Sequence, residues 1–166
     1  MAGALIATAA ISLYVARQKP AATTPTTADK ILVEKSVRRL TLFSSGRKLK
    51  GYRVALGFSP IGPKQREGDG RTPEGNYKID FRKSDSAFHR ALHISYPDAA
   101  DTWRAAEAGM APGGDIMIHG LPNGSGALGT AHHLRDWTEG CIALTDSEVD
   151  EIWASVADGT PIEIRP

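Results

Sequence analysis

The sequence holds one cysteine in 166 residues. No intrachain disulfide can form, and the lack of a Cys-x-x-Cys pair excludes the zinc-finger and thioredoxin arrangements. Charge of one sign is not in excess: 20 Lys and Arg stand against 19 Asp and Glu, a formal net charge of +1. Nucleic-acid binding needs a concentrated basic patch, so no nucleic-acid partner is expected. Nor is there an apolar run of the ~20 residues that comfortably span a bilayer. No internal repeat is found. What remains is ordinary globular usage, 41% hydrophobic and 23% charged, enough for one compact domain with something appended.

The appended part is N-terminal. "MAGALIATAAISLYVA" (1–16) is apolar and uncharged, and Arg17 and Lys19 follow it. It lacks the basic region that opens a standard signal peptide. The expectation is a signal peptide with a misplaced start codon, or a short signal-anchor holding the chain at the inner membrane through residues 1–16; the alternative is an apolar helix packed on the domain. "QKPAATTPTTADK" (18–30) has two prolines, four threonines and little to bury, so it reads as a linker. The expected organisation is an apolar segment over 1–17, a linker over 18–30 and a folded domain over 31–166.

From residue 31 the signals are mostly β. Leu40 and Leu42 alternate with Arg39 and Thr41, Ser45-Gly46 signals a turn, and Tyr52, Val54 and Leu56 alternate in "GYRVALG" (51–57). A Gly/Pro-rich loop is predicted over 58–75. "NYKIDFR" (76–82) and "ALHISYP" (91–97) read as half-buried strands, and 98–109 as a helix stopped at Gly109. "DIMIHG" (115–120) and "GCIAL" (140–144) are short apolar strands. Thr145 and Glu148 form a capping box for a helix carrying Val149, Ile152, Trp153 and Val156. "PIEIRP" (161–166) is a closing strand. The pattern predicts a mainly β domain with helical decoration (α+β), a sandwich or barrel.

Cys141 is the candidate nucleophile, because a thiol next to a base yields thiolate. The same residue is equally readable as a buried apolar thiol. Of five histidines, His119 is best placed as base: it ends "IMIHG" at the Gly120 turn, while Cys141 starts the next apolar strand. The alternative is a hydrogen-bonded histidine at a strand end. Gly140 suits an oxyanion hole built from the Gly140 and Cys141 amides, each such donor contributing ~2.7–4 kcal/mol in a transition state. His132 and His133 are adjacent, and their side chains should diverge on a strand or a helix, so no metal site is expected. His133, Arg135 and Asp136 are expected along a substrate groove. His89 and His93 are expected on the sheet surface, His93 on the register that can face a cleft.

"IMIHG" followed by "TEGCIAL" resembles the paired signature of the L,D-transpeptidase catalytic (YkuD-type) family, a histidine and then Ser/Thr-x-Gly-Cys. Thr138, Gly140 and Cys141 match its second half and His119 its base. "GDGRTPEGNYKI" (68–79) is similar to the family's upstream Thr-Pro-x-Gly-x-Tyr/Phe segment. The likeness runs from about residue 31 to 165 and lies closest to the murein L,D-transpeptidase and L,D-endopeptidase-like periplasmic proteins. The spacer is a few residues longer than is usual. Glu139 replaces a common histidine or lysine, and Ala143 a common arginine or asparagine. The resemblance implies a β-sandwich or barrel-like catalytic fold. It implies acyl transfer on peptidoglycan stem peptides through a Cys141 thioester, with His119 as proton acceptor and donor. Its Gly120 carbonyl would orient the imidazole, and Thr138 and Trp137 would lie beside the substrate. It implies no cofactor and a periplasmic location. An L,D-endopeptidase or carboxypeptidase on the same site, and a non-catalytic wall-binding domain, are the alternatives.

Overall fold

The computed structural model describes residues 27–166. The expected apolar segment (1–17) and the linker up to residue 26 lie outside the described residues. Among the described residues no helix is long and apolar enough to cross a membrane. Ala28 is already buried, and its N–H donates to the Ser155 carbonyl at 2.8 Å. Organised structure thus starts ahead of the linker boundary expected at residue 30.

The strands are β1 (Lys30–Glu34), β2 (Arg39–Ser44), β3 (Arg47–Arg53), β4 (Gly75–Ser86), β5 (His89–Ile94), β6 (Met117–His119), β7 (Ile142–Ala143) and β8 (Pro161–Arg165). The helices are α1 (Ala99–Glu107) and α2 (Asp146–Ser155), with 3-10 turns over Gly126–Leu134. One eight-stranded sheet runs β3-β2-β1-β8-β4-β5-β6-β7. Two pairings are parallel, β1 with β8 and β6 with β7; the others are antiparallel.

Two features curl this sheet into a barrel-like shell. The twelve-residue strand β4 pairs through Gly75–Lys78 with β8 and from Ile79 onward with β5, so it turns a corner. The chain leaving β3 at one edge crosses to the other: Ala55 and Ala143 exchange backbone hydrogen bonds at 3.0 and 2.8 Å, and Phe58 N–H donates to Thr138 O at 2.8 Å. Closure of this kind covers edges that would otherwise expose unpaired backbone groups. The interior is filled by β-branched and leucine side chains from every layer, including Ile31, Leu40, Ile79, Leu92, Ile118, Ile142 and Ile162. Helix α2 covers β5 and β6 with Val149 and Ile152. Its Thr145–Glu148 capping box forms as expected, satisfying the first free N–H groups.

One strand differs from expectation. The predicted strand over 51–57 is replaced by β3, which starts at Arg47 directly after the Ser45-Gly46 turn, where both residues have positive φ. Only Tyr52 of β3 is buried. The apolar Val54–Leu56 run belongs to the crossing segment and is buried on both faces.

Candidate active site

The parallel pairing of β6 with β7 sets Ile118 beside Ile142 and His119 beside Ala143. Side chains alternate along a strand, so Cys141, just ahead of β7, shares the face of Ala143 and hence of His119. Both line one cleft of about 520 Å³, with Ser86, Phe88, Met117, Trp137, Thr138 and Glu139 among the other walls. Cys141 Sγ sits between two backbone groups. Met117 N–H donates to it at 3.4 Å, and the thiol donates to the Asp115 carbonyl at 3.5 Å. Asp115 takes positive φ (53°) to present that carbonyl.

His119 is buried, and its Nδ1 lies 2.7 Å from the Gly120 carbonyl. A carbonyl only accepts, so Nδ1 carries the proton and Nε2 is left as acceptor. The ring packs tilted against Phe88 and edge-to-face with Trp137, the ring centroids 4.6 and 5.8 Å away. This burial pushes the imidazole below its ordinary pKa, against the opposing pull of the Gly120 bond. Burial pushes the Cys141 thiol up; Met117 N–H opposes it, and the Asp115 and Glu139 charges add to the rise. The resting pair is therefore a neutral thiol and a neutral imidazole.

The turn before Cys141 is built by Thr138. Its hydroxyl donates to the Cys141 carbonyl at 2.7 Å and accepts from Gly140 N–H at 3.2 Å. The Gly140 amide is thus already engaged, unlike the free oxyanion donor expected of it. Gly140 has φ +134°, and a Cβ there would stand 2.6 Å from the Arg71 carbonyl. The "GDGRTPEG" segment thus packs directly beneath the turn. Thr72, fully buried, accepts Gly57 N–H at 3.0 Å on the same side.

Several expected substrate residues lie elsewhere. Arg135 lines a neighbouring cleft, and His133 lines a third groove with Arg38 and Arg53; neither is among the walls around Cys141. Asp136 is structural: it accepts from Arg38 Nη2 at 2.8 Å and from Leu56 N–H at 2.9 Å. The His132 and His133 rings do not diverge, because irregular 3-10 turns bring their centroids to 3.8 Å. Among the described residues no group of three or more His, Cys, Asp or Glu is placed to hold a metal. His89 Nε2 pairs with Asp150 at 3.0 Å. His93 Nδ1 pairs with Asp80 at 2.6 Å, and its Nε2 stands 4.0 Å from Asp115 Oδ1; neither histidine is among the walls around Cys141.

Two residues escaped the sequence reading. Phe88 walls the histidine, and Asp146 accepts Leu121 N–H at 2.8 Å just beyond it. An acidic residue directly after a helix cap is common, so Asp146 gave no distinct signal.

The L,D-transpeptidase catalytic domain model, YkuD, matches residues 28–164. YafK of Escherichia coli (strain K12) is 32% identical over 111 residues, 65% of this chain and 37% of YafK. The helical cell shape determining protein Pgp2 of Campylobacter jejuni, as its K307A mutant, superimposes with a TM-score of 0.66 at 26% identity, covering 84% of this chain and 47% of Pgp2. An L,D-transpeptidase from Mycobacterium smegmatis shares the fold, with a TM-score of 0.54 at 14% identity over 84% of this chain and 59% of that one. This chain thus spans less than half the length of YafK or Pgp2. The mainly β shell, the paired Cys and His, and the family match agree: the chain belongs to the L,D-transpeptidase catalytic domain (YkuD) family.

Proposed function

We propose that this chain catalyses cysteine-dependent acyl transfer on peptidoglycan stem peptides, as an L,D-transpeptidase. The observation that carries the reading is the placement of Cys141 and His119 on one face of the β6–β7 pair, in one cleft, with His119 Nδ1 held by Gly120. Nε2 accepts the thiol proton as sulfur attacks the carbonyl of the bond between an L-centre and a D-centre. Cys141 N–H donates to the oxyanion, while Gly140 and Thr138 hold the turn that aims it. The imidazolium returns its proton to the departing D-amine, leaving a thioester. An incoming amine attacks the thioester and forms the new amide. When water resolves it instead, the same residues perform a carboxypeptidase or endopeptidase reaction. Neither route requires a metal or cofactor.

Peptidoglycan lies outside the cytoplasm, so the site of action proposed is the periplasm or cell envelope, with residues 1–16 as export signal or anchor. The likeness to Pgp2, named as a cell-shape determinant, supports a role in wall remodelling.

The test is mass spectrometry of purified peptidoglycan tetrapeptides incubated with the protein, with and without an amine acceptor. Loss of the terminal D-residue with a new amide marks a transpeptidase; loss with water alone marks a hydrolase. An unchanged tetrapeptide, together with no adduct on Cys141 from a carbapenem or iodoacetamide in the folded protein, would leave only a wall-binding domain.

A further inference from the structure

Residues 38–53, Arg38 and the β2–β3 hairpin, hold six of the 20 Lys and Arg and none of the 19 Asp and Glu. The near-neutral total hides this concentration, since all other residues together carry 14 basic groups against 19 acids. Two of the six are neutralised, Arg38 by Asp136 and Lys50 by Glu151. Arg39, Arg47, Lys48 and Arg53 are exposed and pair with no carboxylate among the described residues. Residues 1–26 contain no Asp or Glu that could neutralise them.

Three of these cations share one groove. Leu40 and Leu42 are buried in the core, so Arg39 stands on the outer face of β2. Arg53 lies directly opposite it across the ladder, a position in which like charges destabilise the pair. Lys48 reaches over Gly51, its Nζ 3.5 Å from where a Cβ of Gly51 would stand. Arg39, Lys48 and Arg53 line a groove of about 450 Å³ together with the exposed Val37. None of them is among the walls around Cys141. The register slips between Leu42 and Phe43, which leaves Leu49 unpaired and exposed between Lys48 and Lys50.

The described chain also enters the fold at this hairpin. Asp29 N–H donates to the Phe43 carbonyl at 2.9 Å, and Asp29 Oδ2 accepts from Ser45 N–H at the hairpin turn. Residues 17–26 join this point to the apolar run 1–16, and ten residues span at most roughly 35 Å. A bilayer holding residues 1–16 would therefore lie within reach of the hairpin.

We propose that the outer face of the β2–β3 hairpin docks on an anionic phospholipid bilayer. Lipid phosphates sit among Arg39, Lys48 and Arg53 and relieve the repulsion of the arginine pair, while Val37 and Leu49 enter the headgroup region. Charged edges also keep sheets from pairing with one another. That role needs neither a cation on the inner strand β2 nor two arginines set face to face. Base stacking needs exposed aromatic rings, and here Tyr52 is buried and Phe43 half-buried. The docking stands apart from the acyl-transfer reading, and its test does not involve Cys141.

The experiment floats the full 166-residue chain with vesicles of phosphatidylcholine alone and of equimolar phosphatidylcholine and phosphatidylglycerol. Residues 1–16 contribute to both; the proposal concerns the difference. Wild type should favour the anionic vesicles, and the preference should vanish at about 1 M salt. Each cation removed should lower partition onto the anionic vesicles about fivefold, so R39Q/R53Q should lose about thirtyfold. R39K/R53K should keep most of it, and partition onto phosphatidylcholine alone should not change. K78Q, on exposed Lys78 four strands away in the sheet order, should stay within about twofold of wild type. Thermal unfolding without vesicles should show R39Q/R53Q at least as stable as wild type, because a like-charge pair is gone. Wild type that binds both vesicles equally would overturn the proposal without any variant. So would an R39Q/R53Q loss no larger than that of K78Q. A loss of R39Q/R53Q binding to isolated peptidoglycan sacculi, with vesicle binding intact, would assign the face to the wall and overturn the membrane docking.

Discussion

Asp146 Oδ1 accepts the Leu121 N–H at 2.8 Å, and this bond ties the two halves of the site together. Leu121 follows the strand that ends at His119, and Asp146 opens the helix that follows the Cys141 strand. The carboxylate lies so close that a Cβ on Gly120 would stand 2.7 Å from Oδ1. It therefore fixes the turn whose carbonyl holds His119 Nδ1.

Breaking this tie should loosen the base more than it loosens the fold. D146A loses a charge-assisted bond, a cost of about 1.5–3 kcal/mol, and turnover should fall with little change in KM. D146N keeps an acceptor oxygen and should recover most of the rate. Steady-state kinetics of both variants checks this; equal losses in D146N and D146A would show that hydrogen bonding to Leu121 is not the cause.

The pH profile should be broad. The reactive form needs neutral His119, whose pKa is lowered by burial from the ordinary 6.5, so the acid limb should lie below 6.5. Burial raises the Cys141 thiol above the ordinary 9.0, so the alkaline limb should lie above that value. Activity across the pH range, measured with a tetrapeptide donor, reads both limbs. An acid limb near or above 7 would mean that His119 holds its proton above the ordinary 6.5, against the lowering that burial produces. C141S and H119A should both abolish turnover while leaving the circular dichroism of the fold unchanged.

The two ends of the proposed chemistry were readable in the sequence for one shared reason. Cys141 and His119 stood out because each adjoins a short apolar strand and a glycine, so local pattern and final position coincide. Helix α2 was readable because Thr145 and Glu148 carry their own capping geometry. β3 was misplaced because its ladder to β2 is held by backbone bonds while its side chains are mostly exposed; the apolar Val54–Leu56 run serves a different contact. The turns over Gly126–Leu134 have no helical periodicity, so nothing in order along the chain foretold that His133 and Arg135 would leave the Cys141 cleft. Phe88 and Asp146 act only through proximity in space.

Gly140 should not tolerate a side chain. At φ +134°, with the Arg71 carbonyl 2.6 Å from a built Cβ, alanine forces the Cys141 turn to shift. Strain of this kind costs on the order of 1–3 kcal/mol. G140A should lower Tm and reduce acylation of Cys141 by a carbapenem, both measurable on one preparation. A variant with native Tm and native acylation rate would show that the turn accommodates the methyl group freely.

His132 should make the fold sensitive to mild acid. Burial is the main cause of its lowered pKa, about 4 against the ordinary 6.5; the His133 and His119 charges add to it, while Glu148 and Asp146 oppose it. The unfolded chain therefore binds this proton first as pH falls. The stabilisation is fully present above 6.5, is lost progressively as pH drops from 6.5 toward 4, and contributes no further slope below that. Burial also lowers the neighbouring His133, with the Arg53 charge adding to it and Glu148 opposing it. H132N keeps an oxygen for the Trp137 indole N–H, which His132 Nδ1 accepts at 3.4 Å, but cannot titrate. Its Tm should fall less steeply than that of wild type between pH 6.5 and 4.5, and the two curves should converge in acid. Parallel curves over that interval would place the acid sensitivity on other groups, with buried His119 the first to examine.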